Sequence, residues 1–216
     1  MRAGRRGAAG TGPLRALPAT LALCGALCGA LSGLLAGCAS LPPPVPAPLP
    51  WPERRAQLQA RTRFGLTGRV AVAAGAQGFN GRLRWGQDGA RSQVNLDGPL
   101  GVGGVRVVLE AGALSLTAAD GTHLDSDAAR DELQARLGFE PPLASLRYWI
   151  QGVPDPGSPA VETPDTRPRL TALSQEGWTI AYTGYLEVAG QWLPRRISLQ
   201  HGEVRVKLVI DNWRGS

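Results

Sequence analysis

The stretch SQVNLDGPLGVGGVRVVLE, residues 92–110, contains two runs in which apolar and polar residues alternate. This period of two, in residues 92–96 and again in residues 102–110, is typical of half-buried β-strands. The intervening residues 97–101, DGPLG, combine the glycine and proline that favour a turn. The stretch therefore predicts two antiparallel strands joined by a turn. Leu100 is unexpected there, because the tip of a turn normally faces water.

The same period of two recurs over most of the chain beyond residue 65. Besides the two strands above, strands are predicted at residues 66–74, 78–87, 113–118, 169–174, 178–188, 194–200 and 203–213. Asp88-Gly89 is a typical hairpin dipeptide, and most other gaps are equally short. Short gaps favour a single antiparallel meander, and nine or more strands favour a sheet that curls toward a barrel.

Three segments have helical composition instead. Residues 53–63 contain Ala, Gln, Leu and Arg without a glycine or proline. Asp125 or Ser126 can cap a helix over residues 128–137 that Gly138 would end.

The third helix is predicted within residues 141–152, PPLASLRYWIQG, and a proline-rich loop follows over residues 153–168. The predicted order is one helix, five strands, two helices and four strands. The chain is therefore mainly β with some α, and the two mid-chain helices would cover one side or the mouth of the curved sheet.

Residues 1–37 predict a lipoprotein signal peptide. Residues 1–15 carry four arginines and no acidic residue, and an apolar run at residues 21–35 is shorter than the roughly 18 to 20 residues of a spanning helix. The sequence LLAGC, which ends at Cys38, resembles the lipobox of bacterial lipoproteins. There the cysteine is lipidated and becomes the new N-terminus. An uncleaved anchor is the alternative.

Residues 38–52 then form a lipidated cysteine and a tether, and residues 53–216 form one domain. The tether contains seven prolines, so it favours a semi-rigid polyproline spacer of up to about 40 Å. Cys24 and Cys28 would leave with the signal, and the lipid would block Cys38, so the mature chain has no disulfide.

Processing also changes the net charge. The whole chain carries a formal charge of +6, but four of its basic residues lie in the signal, which leaves +2. The basic composition therefore does not indicate nucleic-acid binding.

The motifs together resemble the outer-membrane lipoprotein receptor LolB family. After the lipobox and tether come, in order, LTGRVAV, RLRW, NLDGPLG, LGFEPPLASLRYWIQG, SQEGWTIAY with Tyr185 after it, LPRRISL and VKLVIDNW. The resemblance covers essentially the whole chain. It implies an open antiparallel β half-barrel with a helical lid over a hydrophobic cavity.

The resemblance also implies a function. Such a receptor accepts lipoproteins from the periplasmic carrier LolA and inserts them into the inner leaflet of the outer membrane. The partners would be that carrier, lipoprotein acyl chains and the leaflet. The protein would be a monomer, anchored through Cys38 on the periplasmic face. Ala39 after the cysteine, instead of Asp, agrees with sorting to the outer membrane.

The residues themselves favour a binding protein over an enzyme. Cys38 is blocked, and no G-x-S-x-G nucleophile motif occurs. His123 lies among aspartates in DGTHLDSD, but its spacing fits neither a zinc nor a calcium signature, and His201 precedes Gly202 in a predicted turn. We therefore expect no catalytic residue, metal or cofactor.

Apolar strand and lid residues are the candidates for the acyl-chain cavity, although each could equally be ordinary core. The candidates are Val70, Val72, Leu83, Trp85, Val94, Leu96, Val105, Val107, Leu114, Leu116, Leu146, Trp149, Ile180, Tyr182, Val206, Leu208 and Ile210.

The sequence leaves two interpretations of the DGPLG turn, and it also leaves two interpretations of the protein's function. Pro99, Leu100 and Gly101 form either a packed turn or, as the family resemblance implies, a loop that inserts Leu100 into the membrane. The protein is either a lipoprotein receptor or an outer-membrane lipoprotein that acts as a scaffold or assembly factor without transport.

Overall fold

The structure is a computed structural model that describes residues 49–99 and 103–215. The predicted signal peptide, Cys38 and most of the predicted tether lie outside the described residues. So do Leu100 and Gly101, whereas Pro99 lies inside them and is exposed.

Three helices and eleven strands make up the described part of the chain. The helices are α1 (Trp51–Ala60), α2 (Ser126–Leu137) and α3 (Leu143–Trp149). The strands are β1 (Arg63–Ala74), β2 (Gln77–Asp88), β3 (Arg91–Asp97), β4 (Val105–Glu110), β5 (Ala113–Ala118), β6 (His123–Asp125), β7 (Ala160–Pro164), β8 (Leu170–Gln175), β9 (Trp178–Val188), β10 (Gln191–His201) and β11 (Val204–Gly215).

All eleven strands belong to one antiparallel sheet. Their order is β6-β5-β4-β3-β2-β1-β11-β10-β9-β8-β7, so two meanders are joined where the first strand pairs with the last. The strands β6 and β7 form the two edges and do not pair with each other, so the sheet stays open. The predicted open antiparallel sheet with helices is confirmed.

Close backbone approach at two glycines helps the long central strands to curve. The β1–β11 register shifts between Thr67 and Gly68, and a Cβ at Gly68 would lie 2.3 Å from the carbonyl oxygen of Val209. A Cβ at Gly81 in β2 would lie 2.4 Å from the carbonyl oxygen of Asp97. Bulges and glycines of this kind bend strands.

Each long strand buries one face and exposes the other, which is the origin of the alternation in the sequence. In β1, for example, Leu66 and Val72 are buried whereas Arg63 and Arg69 are exposed. The buried face is called the inner face below, and the opposite one the outer face. The inner face is covered in part by α2, which contacts β1, β2, β5 and β6.

The second helix begins two residues earlier than predicted. Asp125 occupies the N-cap position but its side chain makes no capping hydrogen bond, and its Oδ1 lies 3.2 Å from Nε2 of His123 instead. The predicted end is confirmed, because Gly138 has a left-handed φ of 80° and its amide donates to the carbonyl of Gln134.

Two strands were not predicted. β6 has three residues and β7 lies in the predicted proline-rich loop; both are short edge strands with too few residues to show alternation. β4 begins at Val105 instead of residue 102, and α1 occupies residues 51–60 instead of 53–63. None of the helices in the described ranges has the length and hydropathy needed to cross a membrane.

Candidate functional site

An apolar cavity of about 80 Å³ lies between the inner face of the sheet and the helices. The lid, defined here as α2, α3 and the connecting residues 138–142, closes one side of it. The cavity is lined by Val70, Val72, Phe79, Leu83, Trp85, Val94, Leu96, Val107, Leu133, Leu137, Phe139, Pro141, Pro142, Leu143, Leu146, Ile150, Trp178, Leu199, Val206 and Leu208. Because every lining residue is apolar, the cavity suits a ligand that needs no hydrogen bonds.

The structure brings most of the candidate cavity residues together. Those that line the cavity are Val70, Val72, Leu83, Trp85, Val94, Leu96, Val107, Leu146, Val206 and Leu208. Those that do not are Val105, Leu114, Leu116, Trp149, Ile180, Tyr182 and Ile210, which are buried in the core beside it.

The half-barrel is filled by side chains where several of these residues lie. The hydroxyl of Tyr182 donates to the carbonyl of Trp149 at 2.9 Å, and the Trp149 ring lies 6.2 Å from that of Trp178. Ile180 and Trp149 are completely buried. Ile180 and Tyr182 therefore belong to the packed core and not to the lining of the cavity under the lid.

Half of the lining comes from residues that sequence reasoning did not propose. They are Phe79, Leu133, Leu137, Phe139, Pro141, Pro142, Leu143, Ile150, Trp178 and Leu199. Leu133 and Leu137 carry a usable signal, because residues four apart share one face of a helix. The 139–142 connection offered no periodic signal, since it belongs to neither a helix nor a strand.

A network centred on Gln175 of β8 fixes the C-terminal end of the lid. Its Oε1 accepts from Nε1 of Trp149 at 2.8 Å and from the amide of Asp155 at 2.9 Å. Its Nε2 donates to the carbonyls of Asp155 at 2.7 Å and Ser158 at 2.8 Å. Gln175 is 3% exposed, and buried hydrogen bonds of this kind fix the groups they join.

The two histidines lie far apart in the sheet order and each has a local partner. Nδ1 of His123 lies 3.1 Å from the hydroxyl of Thr117 in β5. The His201 ring, at the end of β10, lies 5.2 Å from that of Trp178. No group of three or more His, Cys, Asp or Glu side chains within residues 49–99 and 103–215 has the arrangement of a metal site.

Two tyrosines are the titratable groups most affected by burial. Desolvation raises the pKa of Tyr182 well above its ordinary value. Desolvation also raises the pKa of Tyr185, against the opposing effect of the nearby Arg169 and Arg54. Each hydroxyl donates to a backbone carbonyl, that of Trp149 or that of Leu170, so both tyrosines have structural roles.

The family of the chain follows from comparison with known proteins. A family model described as "Outer membrane lipoprotein LolB" matches residues 62–213. The chain belongs to the LolB family. The match spans β1 to β11 and includes the whole lid. The LolB resemblance seen in the sequence is thereby confirmed, and with it the general role of a lipoprotein-localisation receptor.

Individual relatives agree with this assignment. The outer-membrane lipoprotein LolB of Nitrosococcus oceani is 38% identical over 165 residues, which cover 76% of this chain and 82% of that protein. That of Pseudomonas savastanoi is 34% identical over 164 residues, which cover 76% of this chain and 80% of that protein. These proteins are named as outer-membrane lipoproteins and not as enzymes.

Solved structures share the LolB-family fold of this chain. A LolA superfamily protein from Nitrosomonas europaea superposes with a TM-score of 0.51 at 10% identity, over 78% of this chain and 94% of that chain. A DUF1329 family protein from Desulfovibrio piger gives a TM-score of 0.53 at 9% identity, over 76% of this chain and 90% of that chain.

Proposed function

We propose that this LolB-family protein receives lipoproteins from a LolA-type periplasmic carrier and inserts them into the inner leaflet of the outer membrane. The observation that carries the proposal is the wholly apolar cavity under the lid. The protein acts as a monomeric binding protein without catalysis, metal or cofactor. Cys38 carries the lipid that anchors it on the periplasmic face.

Acyl chains are the part of a lipoprotein that the cavity would hold. A hydrocarbon chain offers no hydrogen bonds, so it requires only apolar walls that exclude water. Each buried methylene contributes about 0.8 kcal/mol, so ten buried carbons contribute about 8 kcal/mol. Affinity on this scale is sufficient to hold a lipoprotein during transfer.

The cavity must enlarge before it can hold such a chain. At about 80 Å³ it is smaller than the cavity of about 150 Å³ that accommodates one benzene molecule in another protein. The part of the lid that moves would be α2 with residues 138–142. Leu133, Leu137 and Phe139 hold this part by apolar contacts, which an acyl chain can replace, whereas hydrogen bonds to Gln175 hold the end of α3.

Transfer in one direction would follow from relative affinity. The sequence contains no P-loop motif, so the free energy would come from tighter binding of the same acyl chains in the receptor than in the carrier. Delivery would then use the loop after β3, with Leu100 inserted into the leaflet. Pro99, Leu100 and Gly101 are the residues of that loop.

Filling the cavity tests this function. Val206→Trp places a large side chain in the cavity lining of β11, and Val108→Trp places the same side chain on the outer face of β4. The assay is lipoprotein transfer from a loaded LolA-type carrier, with thermal unfolding measured for each variant.

We expect Val206→Trp to fold and to lose at least about tenfold in uptake, because binding depends on apolar area that the indole now occupies. Val108→Trp should retain wild-type uptake. Unchanged uptake by a folded Val206→Trp protein would show that this face is ordinary core. A wild-type protein that never accepts cargo from the carrier would favour the scaffold alternative.

A further inference from the structure

We propose that the outer face of the central strands is a docking surface for anionic phospholipid. This face consists of the outward residues of β10, β11, β1, β2, β3 and β4. Its charged residues are Arg63, Arg69, Arg82, Arg84, Arg91, Arg106, Arg196, Arg205, Lys207 and Arg214, with the acidic Asp88, Asp97, Glu110 and Asp211.

Charge is distributed very unevenly over the protein. The outer face carries ten basic and four acidic residues, whereas the rest of the chain from residue 49 onward carries nine basic and thirteen acidic residues. The outer face is therefore strongly basic although the net charge of the mature chain is small. A concentrated field of one sign steers a protein toward a surface of the opposite sign.

All four acidic residues of the outer face are already paired. Asp88, Asp97, Glu110 and Asp211 form ion pairs with Arg63, Arg84, Arg91 and Arg69, respectively. Among the described residues, the other six basic side chains of this face have no ion pair within 4 Å: Arg82, Arg106, Arg196, Arg205, Lys207 and Arg214. Their charge is available to a ligand.

The placement of these cations is unfavourable for the fold itself. Arg69 in β1 lies directly opposite Arg82 in β2. On the other side of β1, Lys207 in β11 lies opposite Ala71, two residues along the strand from Arg69. Like charges directly opposite each other on adjacent strands are destabilising. The exposed ion pair between Arg69 and Asp211, at 3.1 Å, compensates only weakly.

A groove of about 820 Å³ extends from the basic residues at the centre of the outer face to the start of the loop after β3. Its lining includes Arg69, Arg82 and Lys207 together with Gly98 and Pro99. Cations thus lie beside the start of the DGPLG turn, whose next residue is Leu100. Arg82 and Lys207, which form no ion pair among the described residues, thus lie beside Gly98 and Pro99, where they could bind the phosphates of a bilayer surface.

Vesicle binding tests the proposal. The chain from residue 38 with Cys38→Ala carries no lipid and keeps every buried core residue, since these lie between Leu58 and Trp213. Vesicles of phosphatidylcholine with about 30% phosphatidylglycerol are compared with phosphatidylcholine alone, at about 0.02 M and 0.3 M salt. We expect binding to the anionic vesicles that falls at high salt.

Paired variants separate the outer face from net charge. Arg82→Gln with Lys207→Gln should lower partitioning about 25-fold, since each basic residue near an anionic surface contributes about fivefold. The control, Arg130→Gln with Arg167→Gln, has the same net charge but changes residues outside this face. It should bind within about twofold of wild type.

Three outcomes would overturn the proposal: no preference for the anionic vesicles, equal losses in the two double variants, or displacement of the protein by inorganic phosphate at constant ionic strength. A lack of preference for anionic vesicles would favour an acidic protein as the partner of this face. Displacement by phosphate would indicate a discrete phosphate site. The assay contains no carrier or lipoprotein, so its result is independent of whether the cavity holds acyl chains.

Discussion

The indole Nε1 of Trp149 donates to Oε1 of Gln175 at 2.8 Å, and both side chains are almost completely buried. This bond joins the last residue of α3 to the last residue of β8. Gln175 also forms hydrogen bonds with the backbone N–H and C=O of Asp155. One side chain therefore holds both the end of α3 and the segment that follows it.

Gln175→Leu should therefore destabilise the domain strongly. It leaves the buried Trp149 indole and the partly buried Asp155 backbone groups without their partner, and an unpaired buried group costs about 1–3 kcal/mol. We expect urea unfolding to show a loss of about 3 kcal/mol or more, with faster hydrogen exchange at the Trp149 indole. Gln200→Leu, at an exposed position of β10, should change stability by less than about 0.5 kcal/mol. A similarly small effect of Gln175→Leu would contradict the role given to this network.

Substitution of Cys38 should separate anchoring from folding. Cys38→Ala, exported behind a cleavable signal, should give a periplasmic protein that no longer sediments with membranes. Its thermal unfolding should match that of the wild type, because the described core begins at Leu58. Fractionation after a carbonate wash is the measurement, and a variant that stayed in the membrane pellet would refute lipid anchoring through this residue.

Substitution of Leu100 should affect delivery but not acceptance. One buried leucine contributes only about 1.5 to 3 kcal/mol, which biases the loop toward the bilayer without anchoring the protein. Leu100→Glu should accept lipoprotein from the carrier normally and fail to release it into liposomes.

Leu100→Ile is the matched control and should retain most of the release activity. Release by Leu100→Glu at the wild-type rate would remove the membrane role. Loss of its thermal unfolding transition would instead assign Leu100 to a packed turn.

The buried tyrosines should make the domain sensitive to alkali. Burial raises the pKa of Tyr182 and Tyr185 above the ordinary value of 10.0. Above about pH 10 the unfolded chain loses protons that the folded chain keeps, so stability falls as the pH rises.

Tyr185→Phe should cost about 0.5–1.5 kcal/mol at neutral pH, because the bond to the Leu170 carbonyl is lost. Its stability should then fall less steeply than that of the wild type above pH 10. Tyr148→Phe, which changes a partly exposed tyrosine, is the control. Parallel pH curves for Tyr185→Phe and wild type in urea titrations would contradict the effect assigned to Tyr185.

Local pattern determined much of the fold in advance. The alternation in residues 178–188 predicted β9 with its observed bounds, the Asp88-Gly89 dipeptide predicted the β2–β3 hairpin, and Gly138 predicted the end of α2. These features depend on neighbours in the chain, because a strand has a period of two and a helix terminus needs a left-handed residue. The family resemblance could also be recognised from the sequence, since it rests on the order of short motifs.

Only the tertiary structure decided how distant segments meet. The pairing of β1 with β11 joins residues about 140 positions apart, and no local pattern encodes that register. The same holds for the outer face, where Arg69 and Arg82 come together only through pairing of β1 with β2.

The contents of the half-barrel were decided in the same way. Val206 and Ile210 look alike in sequence, as inward residues of one strand, yet Val206 lines the cavity and Ile210 is packed core. The alternation of apolar and polar residues in a strand indicates only that each apolar side chain is buried. Whether it then meets another side chain or an empty space depends on what the lid and the opposite strands bring to it.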